Sequence, residues 1–147
     1  MNVPAPPPLQ SDPAPPRLKS LKEARAAGYS LANCPVRDVV AQIGDKWSVL
    51  IVAELAAAPH RFGELRRSLS DISQRMLTET LRDLQRDGLV NRRVFATVPP
   101  SVEYSLTDMG HALATALAPL IAWADLHQSA IHRARERFDN GEVRQAV

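Results

Sequence analysis

Apolar residues recur with a helical period over most of this chain and with a period of two over one short stretch. Val36, Val39, Val40 and Ile43 stand at i, i+3, i+4 and i+7, which predicts a helix with one buried face. Pro35 suits its first position and Gly44 its end. Asp45 is placed to cap a second helix over residues 46–57, with Trp47, Leu50, Ile51 and Leu55 as the inner stripe. His60, Arg61 and Phe62 read as a minimal strand before a short helix at 63–68, with Phe62, Leu65 and Leu69 as core candidates. Asp71 and Ile72 make a turn, and Ser73 caps a helix over 74–87 that buries Met76, Leu77, Leu81 and Leu84. Gly88 stops that helix in the left-handed position. The period then changes: residues 89–95 and 102–106 alternate as two strands around Val98-Pro99-Pro100. Thr107 caps a long last helix with Leu113, Leu117, Leu120, Ile121 and Ala124 on one face. Pro119 is expected to kink or divide it, and the polar turns around Arg133, Arg135, Glu136 and Arg137 are expected to fray.

This pattern predicts a mostly α fold with a small β-hairpin, an α+β arrangement of the winged helix-turn-helix kind. Seven of the twelve prolines fall before residue 17, a run that can form neither helix nor ladder. Three segments are therefore expected. Residues 1–30 are a largely disordered proline-rich leader with a basic segment from 18 that can form a short helix or arm. Residues 31–138 are the folded domain with a C-terminal dimerisation helix, and 139–147 are a polar tail.

A chain of 147 residues, 45% of them hydrophobic, can bury one real core. The formal net charge of +2 is a weak global signal for nucleic acid, so the case rests on placement. Between positions 61 and 93 stand eight Arg (61, 66, 67, 75, 82, 86, 92, 93) against five acids (64, 71, 79, 83, 87), a local excess of +3. Arginine supplies all of it, and its planar fork suits phosphates and guanine edges. On a helix over 74–87, Arg75, Glu79, Arg82 and Arg86 fall opposite the leucines. Ser73, Gln74, Arg75 and Thr78 occupy the first turns, where a recognition helix meets base edges. The plain alternative is a solvated face laced by Arg75–Glu79 and Glu79–Arg82 pairs, and the basic hairpin that follows favours the DNA reading. Arg92 and Arg93 are adjacent on a strand and point to opposite sides. Thr97 and backbone amides at the hairpin tip are expected to meet the sugar-phosphate backbone. The DNA-contact candidates are Arg61, Arg66, Ser73, Gln74, Arg75, Thr78, Arg82, Arg92, Arg93 and Thr97.

Enzyme chemistry finds no foothold. There is no paired-carboxylate pattern, nucleophile elbow or phosphate-cradling glycine loop, and the four histidines are scattered. No cofactor or metal is expected. No stretch is read as approaching the ~20 apolar residues of a membrane span, and no secretory signal opens the chain. A single cysteine fits a reducing compartment, so the expected place of action is the cytoplasm, without a membrane partner. Cys34 itself, just before Pro35, is either a small apolar side chain or a thiol activated by a helix N-terminus.

The chain resembles HxlR-type transcriptional regulators, a winged-helix family with MarR-like architecture. The residues that carry this are Cys34-Pro35-Val36, Ile43-Gly44-Asp45-Lys46-Trp47, Arg61-Phe62-Gly63-Glu64-Leu65-Arg66-Arg67 and Ile72-Ser73-Gln74-Arg75-Met76-Leu77-Thr78. Asp87-Gly88-Leu89-Val90, then Pro99-Pro100-Ser101-Val102-Glu103-Tyr104-Ser105-Leu106-Thr107, and Gly110 continue the match. The resemblance covers residues 34 to about 127. It implies a homodimer on a two-fold-related DNA operator, with the terminal helices at the interface, where Val36, Val40, Leu117, Leu120 and Trp123 are candidates. Some relatives carry a sensory cysteine at that position, which leaves Cys34 open between a sensory and a structural role; the effector stays open between a small molecule and an oxidant. The competing reading is a winged-helix protein–protein module that does not bind DNA.

Overall fold

The computed structural model describes residues 20–28, 30 and 35–141. It divides into a unit that ends at Asp38 and a larger one that begins at Val39. The first contains α1 (Leu21–Ala26), closed by a capping box in which the Ser20 hydroxyl accepts from the Glu23 N–H and the Glu23 carboxylate from the Ser20 N–H. Most of the proline-rich leader and Cys34 lie outside the described residues, as do positions 142–147 of the expected tail.

Helix α2 (Pro35–Ile43) starts at the proline as expected. Of the face it was expected to bury, Ile43 packs against the core, while Val39 and Val40 are about half exposed (47% and 55%). Asp45 caps α3 (Lys46–Ala57) by accepting from the Trp47 and Ser48 N–H groups at 2.8 and 2.9 Å, and its second oxygen takes the Ser48 hydroxyl. The inner stripe of α3 is Ser48, Ile51, Val52 and Leu55, one step round the helix from the one expected. Trp47 is half-buried and Leu50 is exposed. The helix is apolar on two flanks, so hydrophobicity alone did not decide which one meets the core.

Next come β1 (His60–Arg61) and α4 (Phe62–Ser68), which starts one residue earlier than predicted because the Glu64 carboxylate accepts from the Arg61 N–H at 2.7 Å. Helix α5 (Gln74–Arg86) leads to β2 (Val90–Phe95) and β3 (Ser101–Leu106), and α6 (Asp108–Asp139) closes the chain. The sheet is antiparallel in the order β1-β3-β2, so the two-residue β1 pairs with the hairpin as a third strand, His60 opposite Tyr104. Ile51, Val52, Leu55, Leu65, Ile72, Leu77, Leu81, Leu84, Val90, Leu106 and Leu117 form one core, joined by Leu113 and Ile121.

Three expectations for the last helix need correction. Helix α6 runs unbroken through Pro119 and stays helical to Asp139. Proline here removes the hydrogen bond to the Thr115 carbonyl and crowds that carbonyl with its ring, and both residues are exposed. Within α6 there is also a stretch long and apolar enough, by length and composition, to cross a membrane, contrary to the expectation that none comes close. Leu113, Leu117 and Ile121 from that stretch pack into the core of the domain. Leu120, Trp123 and Leu126 remain exposed. Beside them Val40, Ile43, Val49, Leu50, Leu117 and Leu120 line an apolar groove.

Candidate nucleic-acid interface

Helices α4 and α5, joined by residues 69–73, form the helix-turn-helix. The turn is held from both ends: the Leu69 N–H donates to the Leu65 carbonyl, and the Ile72 N–H to the Leu69 carbonyl, both at 2.9 Å. Ile72 is buried, which anchors the turn in the core. The Ser73 hydroxyl then accepts from the Met76 N–H at 3.1 Å and caps α5. At the far end Gly88 takes φ +74°, a conformation costly for residues with a Cβ.

The buried stripe of α5 is Leu77, Thr80, Leu81 and Leu84. This corrects the expected one in a single respect: Met76 is 41% exposed and Thr80 takes its place. The Thr80 hydroxyl donates to the Met76 carbonyl at 2.8 Å, so burial leaves it no unmet hydrogen bond. The spacing i, i+3, i+4, i+7 from Leu77 was readable in the sequence, but ranking by hydrophobicity preferred methionine to threonine.

Arg75, Thr78, Glu79, Arg82 and Arg86 are all exposed, on the side away from that stripe. The Arg75 Nε donates to Glu79 Oε1 at 2.9 Å. That hydrogen bond, and then the carboxylate charge, hold the guanidinium above its ordinary pKa. The Thr78 hydroxyl donates to the Gln74 carbonyl at 2.8 Å, which occupies its hydrogen. Arg66 Nη1 reaches Gln74 Oε1 at 3.5 Å, linking α4 to the first turn of α5. Arg61 is exposed at the start of α4.

In the hairpin Arg92 stands opposite Tyr104 and Arg93 opposite Glu103. Both arginines are exposed, and the Arg93 guanidinium lies over the Phe95 ring at 4.8 Å from its centroid. The Thr97 hydroxyl donates to the Pro99 carbonyl at 2.8 Å. It therefore shapes the tip, and that hydrogen is already engaged.

Sequence reasoning placed Thr107 as a cap but missed its second task. Its hydroxyl accepts from the Gly110 N–H at 3.0 Å and donates to the Gly88 carbonyl at 2.6 Å, while its own N–H donates to the Leu89 carbonyl at 3.0 Å. The end of α5, the start of β2 and the start of α6 thus meet at one residue. Of the interface candidates, Leu117 is buried in the core, Val40, Leu120 and Trp123 are exposed, and Val36 falls within α2.

Comparison with known proteins agrees with this architecture. A model of the HxlR-like helix-turn-helix family matches residues 42–132. The uncharacterized HTH-type transcriptional regulator YtfH of Escherichia coli is 38% identical over 109 residues, covering 74% of this chain and 86% of that one. Among solved structures, the redox regulator HypR in its reduced form superposes with a TM-score of 0.65 at 37% identity, covering 68% of this chain and 99% of that one. The reduced form of the transcriptional regulator YodB from Bacillus subtilis gives a TM-score of 0.57 at 36% identity, covering 63% and 91%.

Proposed function

The chain belongs to the HxlR-like helix-turn-helix family of HTH-type transcriptional regulators, and from that premise we propose that it acts as a homodimer on a two-fold operator in double-stranded DNA. Helix α5 enters the major groove, presenting Ser73, Gln74, Arg75, Thr78 and Arg82, and the β2–β3 hairpin grips the flanking backbone through Arg92, Arg93 and the turn shaped by Thr97. Arg61 and Arg66 contribute phosphate contacts from α4. The observation that carries this reading is the outward face of α5: polar and arginine-rich, exposed along its length, beside an exposed basic strand. The second subunit is supported by the apolar positions left open on α2, α3 and α6, of which Val40, Leu50, Leu120 and Trp123 are 40–58% exposed. A patch of that kind on a lone chain favours association. The place of action is the cytoplasm, where the operator is found.

The experiment is a duplex-binding titration against salt. Several phosphate contacts make the logarithm of affinity fall steeply with the logarithm of salt concentration, by roughly 0.9 per contact. A protein–protein module, the competing reading, shows no duplex binding at any salt concentration.

HypR, a redox regulator, supports adding thiol responsiveness at Cys34 to this reading. The test treats the wild type and Cys34→Ser with diamide and compares their affinities for one duplex. A change in the wild type alone supports a sensory thiol, while unchanged affinity after complete modification makes Cys34 structural.

A further inference from the structure

Glu79 lies on the face of α5 that is read as meeting DNA, opposite Leu77, Thr80, Leu81 and Leu84. A carboxylate there repels phosphates and weakens binding to every sequence. Its hydrogen bond to Arg75 adds little to the fold: the two side chains are 51% and 87% exposed, and solvated i,i+4 pairs contribute little to stability. What the pair does accomplish is geometric. The Arg75 Nε carries a single hydrogen, and it is directed to Glu79 Oε1 at 2.9 Å. The Nη1–Nη2 edge stays free, with two parallel N–H groups that match the O6 and N7 acceptors of guanine. A guanidinium already held in one orientation loses less freedom on binding than an unrestrained one. Thr78, between them in sequence, does not compete, because its hydroxyl is turned to the Gln74 carbonyl.

We propose that Glu79 is a positioning residue for base reading: it holds Arg75 by Nε so that the outer edge of the guanidinium meets one guanine per half-site. Glu79 thereby raises discrimination between sequences while lowering affinity for DNA in general. The inference rests on the reading of α5 as the recognition helix.

The test starts from a pool of random-sequence duplexes, from which the wild-type chain selects its preferred one. Affinities for that duplex and a scrambled one are then measured for wild type, Glu79→Ala, Arg75→Ala and the double variant. Glu79→Ala should bind the scrambled duplex several-fold more tightly, since a repelling charge is gone. Its ratio of selected to scrambled affinity should fall about twofold, the scale on which a solvated i,i+4 pair can hold a side chain in place. Replacing the guanine read by Arg75 should cost the variant less than it costs the wild type. In the Arg75→Ala background, removing Glu79 should leave the ratio unchanged. Equal tightening on both duplexes would show a charge effect only and overturn the proposal, as would the same loss of ratio with Arg75 absent. An undiminished ratio in Arg75→Ala would remove the base-reading role of Arg75 and the proposal with it. Failure of the wild type to select any duplex would overturn the DNA-binding reading itself.

Discussion

At Asp45 two opposed effects act on one carboxyl. Partial desolvation pushes its pKa up, and hydrogen bonds from the Ser48 hydroxyl and the Ser48 and Trp47 backbone N–H groups push it down, with the net result below the usual carboxylate range. Because the folded value lies below the unfolded one, the stabilising contribution is complete above the unfolded value of about 3.9. It disappears as pH falls through the folded value. Asp45→Ala should therefore cost about 1 kcal/mol at neutral pH, the usual loss for a helix cap. Urea unfolding at fixed protomer concentration should show the gap between variant and wild type narrowing as pH falls below the unfolded carboxylate value. A gap independent of pH would mean that the carboxylate charge is not what stabilises the cap. Gly110 makes a second demand: a Cβ there would lie 2.2 Å from the Leu89 carbonyl oxygen. That oxygen is fixed by the Thr107 N–H at 3.0 Å and cannot retreat without losing the bond. Gly110→Ala should destabilise by about 2 kcal/mol or more, as overpacking does, seen as a lowered urea midpoint. The caps at Asp45, Ser73 and Thr107 and the stop at Gly88 were legible in the sequence because each acts within four residues of itself. The close approach at Gly110 was not, since it depends on where residue 89 passes.

Among the elements, α5 and the hairpin were legible from period and punctuation, and α6 only in part. Proline was expected to kink or divide it, and the division does not occur: α6 is one helix from Asp108 to Asp139. Its other turns hold it together, and an outward-facing carbonyl can take water in place of the missing donor. Pro119→Ala restores that donor and should raise stability, by up to about 3 kcal/mol on the usual cost of an interior proline. A lower urea midpoint for the variant would mean that proline is needed at this position. The strand β1 could be named from residues 60 and 61, but its pairing with β3 depends on contacts distant in sequence. Arg75→Ala tests α5 itself: loss of a base contact should cost roughly 1–3 kcal/mol on a selected duplex and little on a scrambled one. Arg92→Ala or Arg93→Ala should weaken both alike.

For the whole molecule, the instructive departure is the apolar surface. Val39, Val40 and Leu50 were read from their period as facing inward, Val40 also as an interface candidate, and Val39 and Val40 together with Leu120 and Trp123 stand about half exposed. Periodicity reports that a face is to be covered and does not say whether the same chain covers it. Under the proposed dimer these positions meet a second copy, and Leu120→Glu or Trp123→Glu should reduce the mass measured by light scattering from twice 16.2 kDa to that of one chain. The central claim is that two copies read DNA together through α5. Dimethyl sulfate probing of a selected duplex reports on guanine N7 in the major groove and tests this most directly. Two patches of protection should appear on one face of the duplex, about 34 Å or one helical turn apart, with the protected guanines becoming reactive again in Arg75→Ala. A single patch, or no protection under conditions where the chain shifts the duplex, would contradict the account.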